Sequence, residues 1–175
     1  MGSLNRRQAL ALTLSLSGCG FQPIYMPTAT GKPGVAQREL AAIHVNLIPD
    51  RPGQELRQAL QERLEMGATG VKQRYDLSVG YGVAGEGIAV QTDNNPTRIR
   101  LIGTATWTLR AQDSGRTRLS SGFAKAVDGL NILENQYFAL DLENEAVQKR
   151  IAESLADQIT IQLAAYFRKR AAGPS

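Results

Sequence analysis

The periodicity of apolar positions divides the chain into segments of different kinds. Ala9-Leu10-Ala11-Leu12-Thr13-Leu14-Ser15-Leu16 is a short apolar run directly behind Arg6-Arg7. It is too short to span a bilayer, which needs about 20 apolar residues. Residues 20–38 hold three prolines and three glycines, which opposes regular structure. From Leu40 the pattern becomes regular. Ile43, Val45 and Leu47 alternate with polar neighbours and predict a strand over Leu40–Ile48, closed by Pro49-Asp50-Arg51-Pro52-Gly53. Leu56, Leu60 and Leu64 fall four apart and predict an amphipathic helix over Gln54–Met66.

Alternation returns with Tyr75, Leu77, Val79, Tyr81 and Val83, and Ile88-Ala89-Val90 continue the same bent strand. Thr92-Asp93-Asn94-Asn95-Pro96 reads as a turn. Ile99, Leu101, Gly103, Ala105, Trp107 and Leu109 form one face of a long third strand. Arg98, Arg100, Ile102, Thr104, Thr106, Thr108 and Arg110 form the other. Asp113-Ser114-Gly115 predicts a hairpin, and Thr117–Ala126 a fourth strand, weaker in apolar content. Residues 128–142 are less regular. Val147, Ile151, Leu155, Ile159 and Leu163 then define a helix over Glu143–Arg170, about 40 Å long. Its acids lie near the start and Arg168-Lys169-Arg170 near the end, as the helix dipole favours.

The order is βαβββα. Each helix has one apolar stripe and the strands have one dry face. The expected fold is therefore α+β: a two-layer sandwich of a mixed four-stranded sheet with two helices on one face. If the first two strands are neighbours, their crossover should be right-handed.

The chemistry of the start sharpens the picture. Leu16-Ser17-Gly18-Cys19 matches the lipobox of bacterial lipoproteins at every position. The thiol takes a diacylglycerol, and small residues before it admit the signal peptidase. Each buried methylene of such an anchor adds about 0.8 kcal/mol, and two or more chains hold a protein stably. The expected organisation is a signal peptide over residues 1–18, a lipidated tether over 19–38 and one α+β domain over 39–172. Twenty residues of flexible chain reach about 25 Å. Phe21, Ile24 and Tyr25 are unusually apolar for a tether, suited to packing on the domain, a partner or the lipid interface. Arg6-Arg7 leaves ordinary and twin-arginine export both open. Cys19 is the only cysteine, so no disulfide is expected.

Charge excludes more than it assigns. Lys and Arg number 20 against 16 Asp and Glu, a formal +4. Loss of residues 1–18 removes Arg6 and Arg7 and no acid, leaving +2. That balance, with sparse aromatics, does not suggest nucleic acid. Gly80-Tyr81-Gly82-Val83-Ala84-Gly85 has dinucleotide-fingerprint spacing but lies inside a β pattern, with no helix N-terminus to hold a pyrophosphate. It reads as a glycine-bent strand. His44 is the only histidine and sits on the polar side of the first strand; no second histidine or cysteine cluster completes a zinc site, and no Ser/His/Asp set has a visible pattern. No catalytic residue, metal or cofactor is expected. Arg98 and Arg100 share one polar face, with Arg110 farther along and Lys72 and Arg74 before the second strand. Arginine forks suit phosphate and carboxylate, yet composition alone favours an ordinary solvated face.

The start Leu16-Ser17-Gly18-Cys19-Gly20-Phe21-Gln22-Pro23-Ile24-Tyr25 resembles the lipopolysaccharide-assembly lipoprotein family, LptE. So do Asn135-Gln136-Tyr137-Phe138-Ala139, Glu145-Ala146 and Leu155-Ala156-Asp157-Gln158-Ile159 near the end. The βαβββα order between them is similar too, so the resemblance spans the chain. It implies a non-enzymatic lipoprotein on the periplasmic side of the outer membrane, held in its inner leaflet through Cys19. It implies a stable complex with the β-barrel translocon LptD, largely inside the lumen, and a role in delivering lipopolysaccharide to the outer leaflet. Gly20 is compatible with outer-membrane sorting. Under this resemblance Arg98 and Arg100 become candidate contacts for anionic lipid A groups, or else members of a salt-bridged lumen face. The rival class is a lipid-anchored periplasmic binding module unrelated to lipopolysaccharide.

Overall fold

The computed structural model describes residues 34–66, 70–90, 96–131 and 137–173. Cys19, the signal segment, most of the tether and the Thr92–Asn95 part of the expected turn lie outside them. Three helices and four strands follow one another as α1 (Val35–Ala41), β1 (Ile43–Val45), α2 (Arg51–Leu64), β2 (Tyr75–Val90), β3 (Pro96–Ala111), β4 (Arg118–Asn131) and α3 (Tyr137–Ala172).

The four strands form one mixed sheet in the order β1-β2-β3-β4. β1 runs parallel to β2, pairing Ile43 with Tyr75, and the two later pairs are antiparallel. The β pattern across Gly80–Gly85 is strand, and Ile88–Val90 continue it beyond a register irregularity at Gly87. The phase of alternation is the one read from the sequence. Leu77, Leu101, Ala105, Trp107, Leu109 and Ala124 are all buried on one face, beneath Leu56, Leu60 and Leu64 of α2 and Val147–Leu163 of α3. Two-layer α+β architecture follows from one apolar face meeting apolar helix stripes.

The helices approach the sheet closely because β3 and β4 withhold side chains where contact is tightest. A Cβ on Gly103 would stand 2.2 Å from Cγ2 of Ile151, so α3 rests on bare backbone there. A Cβ on Gly122 would stand 2.7 Å from the Trp107 ring. That gap leaves room for the Trp107 ring beside Gly122 of β4, where it donates Nε1–H to Oε1 of Gln162, 2.9 Å away. Gln158 and Gln162 also cover the edge of β4. The Gln158 amide donates to the Lys125 carbonyl at 3.0 Å, and Gln162 donates to the Phe123 carbonyl at 3.0 Å. Such capping blunts an edge strand that would otherwise offer unpaired backbone.

Three elements depart from the sequence reading. A third helix, α1, occupies Val35–Ala41, where a tether to residue 38 and a strand from Leu40 were expected. Val-Ala-Gln-Arg-Glu-Leu-Ala are mostly good helix formers, and Ala36 and Leu40 stack four apart into the core. The first strand consequently shrinks to Ile43–Val45, and its alternation breaks: Leu47 is 75 % exposed whereas Ile48 is buried. Second, α2 starts at Arg51, because Pro52 needs no amide partner in a first helical turn. Third, β4 runs on to Asn131 and α3 begins at Tyr137, so residues 128–131 and 137–142 are regular structure, while Ile132 and Leu133 lie outside the described residues. α3 has 36 residues, about 54 Å of helix.

Candidate lipid-contact site

β3 fixes the two candidate arginines. A strand sends alternate side chains to opposite faces. Leu101 and Trp107 point into the core, so Arg98 and Arg100 point away from it, and both are exposed. Arg98 is paired with Asn131 of β4 and Arg100 with Gly129, while Glu86 of β2 stands across from Arg100. The Arg98 guanidinium leans over Gly129, with Nε 3.6 Å from the position a Cβ would take there. Among the described residues neither arginine forms an ion pair within 4 Å. Their donors are thus available to an anionic group. The structure brings both to one place on the outer face, while Arg110 lies at the far end of β3 and Arg74 is paired with Glu39 at 3.0 Å.

The outer face beside them is not uniformly polar. Ile102 lies directly opposite Val127, and Phe123 and Val127 are each more than half exposed on β4. Two arginines next to a small apolar patch can meet an amphipathic ligand at both its charged and its apolar part. Sequence reasoning missed Val127 because it ended β4 at Ala126, and passed over Phe123 because it assigned no faces to that strand. Their positions one residue from the inward Ala124 and Ala126, in the opposite phase of the alternation, were the available signal. Farther along the same face come Thr104, Thr106, Thr108, Gly80 and Gly82, a shallow hydroxyl and glycine strip.

At the same end, behind the sheet, a cleft of about 390 Å³ opens between the start of α2, β2 and Asn144 and Gln148 of α3. The Tyr81 hydroxyl, which lines it, and Oε2 of nearby Glu55 are buried without a hydrogen-bond partner among the described residues. Burial, and then the Glu55 charge, push the Tyr81 hydroxyl up to about 12, so it stays a neutral donor. His44 is half-buried in β1, opposite Asp76. Among the described residues no three His, Cys, Asp or Glu side chains are grouped to hold a metal. Nor is any described helix long and apolar enough to cross a membrane.

A family model described as "LptE: Lipopolysaccharide-assembly" matches residues 40–163, from the end of α1 to the last turns of α3. The chain belongs to the LptE family. Solved structures share the LptE-like fold seen here. A protein described as a lipoprotein from Caulobacter crescentus superimposes with a TM-score of 0.63 at 19 % identity, over 76 % of this chain and 96 % of its own. The rare lipoprotein B of Shewanella oneidensis does so with a TM-score of 0.54 at 12 % identity, over 74 % and 96 %. Lipoprotein B of Nitrosomonas europaea gives 0.51 at 16 % identity, over 72 % and 82 %. At such identities the likeness carries the LptE-like fold and not the site. No curated protein sequence matches the chain.

Proposed function

We propose that this LptE-family chain is a non-enzymatic outer-membrane lipoprotein that assembles with and plugs the LptD β-barrel, for delivery of lipopolysaccharide to the outer leaflet. The carrying observation is the family match over residues 40–163, set on a domain whose sheet has one sealed face and one open, largely polar face. A plug in a polar barrel lumen needs such a face. Cys19 is the proposed lipid anchor, which places the domain at the periplasmic side of the membrane. Arg98 and Arg100, with Ile102 and Val127 beside them, are the proposed contact for lipid A or for acidic lumen groups.

Affinity purification of the tagged chain from solubilised membranes should bring down a large outer-membrane barrel in stoichiometric amount. Recovery of the chain alone, at native expression, would overturn the plug reading and favour a lipid-anchored binding module unrelated to lipopolysaccharide. Metabolic labelling with a fatty acid addresses the anchor. Cys19→Ala should abolish label and processing at this site, since no other thiol is present. Label retained in that variant would remove Cys19 from the role.

A further inference from the structure

Charge is spread unevenly along the domain. One end gathers the start of β2, the β3–β4 hairpin and the end of α3. Tyr75 is paired with Ala111, and its ring lies 5.2 Å from that of Phe167. α1 begins at this end too, since Val35, Tyr75, Phe167 and Arg170 line one shallow pocket. The bases here are Arg38 on α1, Lys72 and Arg74 before β2, and Arg110, Arg116 and Arg118 around the hairpin. Arg168, Lys169 and Arg170 on α3 complete them.

Four acids share this end: Glu65, exposed where α2 ends against Gln37 of α1, and three that are locally engaged. Glu39 meets Arg74 and the Tyr75 hydroxyl, Asp76 meets Arg116 and Gln112, and Asp113 accepts from the Thr117 amide. Nine bases against four acids leave five positive charges. The opposite end mixes its signs: Arg51 pairs with Glu145 at 3.1 Å and Arg150 pairs with Asp128 at 2.6 Å. Complementing the α3 dipole accounts for bases in its last turn only. It leaves Lys72, Arg110 and Arg118 unexplained.

We infer that this basic end is a docking surface for an anionic phospholipid bilayer. The bases come from four separate segments and do not converge on a pocket. The one pocket described among them carries the Glu39 carboxylate, which would repel a discrete phosphate. A broad, unfocused positive surface suits a charged sheet, where each base near the surface strengthens binding about fivefold. The position of the chain entry agrees. The segment leading back to Cys19 joins α1 at this end, and 14 residues lie between Cys19 and Gly34, at most about 50 Å of extended chain. The orientation, though not the charge, rests on the proposed anchor. With the acyl chains in the inner leaflet, the basic end faces the headgroups and Arg98 and Arg100 lie at the far end.

The test uses the mature chain 19–175 carrying Cys19→Ala, so that acylation contributes nothing. It is floated with vesicles of phosphatidylethanolamine and phosphatidylglycerol, about three to one, and with vesicles of phosphatidylcholine alone. Binding at low salt should be at least tenfold stronger on the anionic vesicles and should be lost by about 0.5 M salt. The triple change Lys72→Glu, Lys169→Glu, Arg170→Glu should weaken it more than tenfold. Lys149→Glu, an exposed base of α3 near the opposite end, should leave it unchanged. Equal binding to both vesicles, an unaltered triple variant, or binding only when lipopolysaccharide replaces the phospholipid would each overturn the proposal. Because the probe lacks the thiol, a failed anchor would show in the labelling experiment and not here.

Discussion

The two faces of β3 are built from one run of residues and live in opposite surroundings. Leu101, Ala105, Trp107 and Leu109 are buried against α2 and α3. Arg98, Arg100, Thr106 and Arg110, interleaved with them, are exposed. Neighbours about 3.3 Å apart along the strand therefore carry different duties. The inner set holds the fold together through area and shape. The outer set is free of that task, and its chemistry is open to a partner. Substitutions on the two faces should separate cleanly into losses of stability and losses of recognition.

Trp107→Ala should break the inner face most severely. The ring is 3 % exposed, lies beside Gly122 and donates to Gln162. Removing it leaves a cavity and an orphaned amide oxygen, at a cost of about 3–5 kcal/mol. Thermal or urea unfolding measures this directly. A transition within a degree or so of the parent would mean that the faces of β3 are reversed.

Gly103→Ala should cost about 1–3 kcal/mol by overpacking, because the new methyl would enter the space of Ile151 Cγ2. In a double-mutant cycle with Ile151→Ala, which removes Cγ2 itself, Gly103→Ala should cost less than it does alone. Additive losses would place α3 elsewhere.

That glycine also marks how far the sequence could be read. The inner face was legible because burial imposes a period of two on strands and of nearly four on helices, from Leu77 to Leu109 and from Val147 to Leu163. The closeness of α3 to Gly103 was not legible, because no pattern records where two elements touch. α1 escaped notice because its apolar stripe is only Ala36, Leu40 and Ala41, and the glycines and prolines before it read as a tether. The extension of β4 escaped because Asp128 and Gly129 look like turn residues, whereas Asp128 is held in the strand by Arg150. Of the candidate site, the arginines' shared face was legible from alternation. Their apolar neighbours Phe123 and Val127 were not, since cross-strand register comes only with the fold.

The Asp128–Arg150 pair joins β4 to α3 and gives a smaller, pH-dependent effect. The hydrogen bond from Arg150 holds the Asp128 carboxyl below the usual carboxylate range. A depressed folded value means stability that is present above the ordinary carboxylate range and is lost as pH falls through the folded one. Arg150 is exposed, so solvent screening keeps the contribution small. Unfolding curves of the parent and Asp128→Asn should therefore differ slightly at neutral pH and converge in acid. A gap that widened in acid would refute the assignment.

The outer face should show the least effect on folding and the clearest effect on binding. Arg98 and Arg100 are exposed and unpaired with any acid among the described residues, so the double change to Glu should leave the melting temperature essentially unmoved. If they meet lipid A phosphates, each charge-assisted hydrogen bond lost is worth about 1.5–3 kcal/mol, and lipopolysaccharide binding at low salt should fall at least tenfold. Parent binding should itself weaken as salt rises. Val127→Ser sharpens the comparison: an amphipathic ligand should also bind this variant less well, by a factor that salt does not change. Unchanged lipopolysaccharide affinity in the double arginine variant would remove these residues from the lipid site. If barrel recovery fell instead, the arginines would be lumen contacts, and the plug reading would stand without lipid recognition on this face.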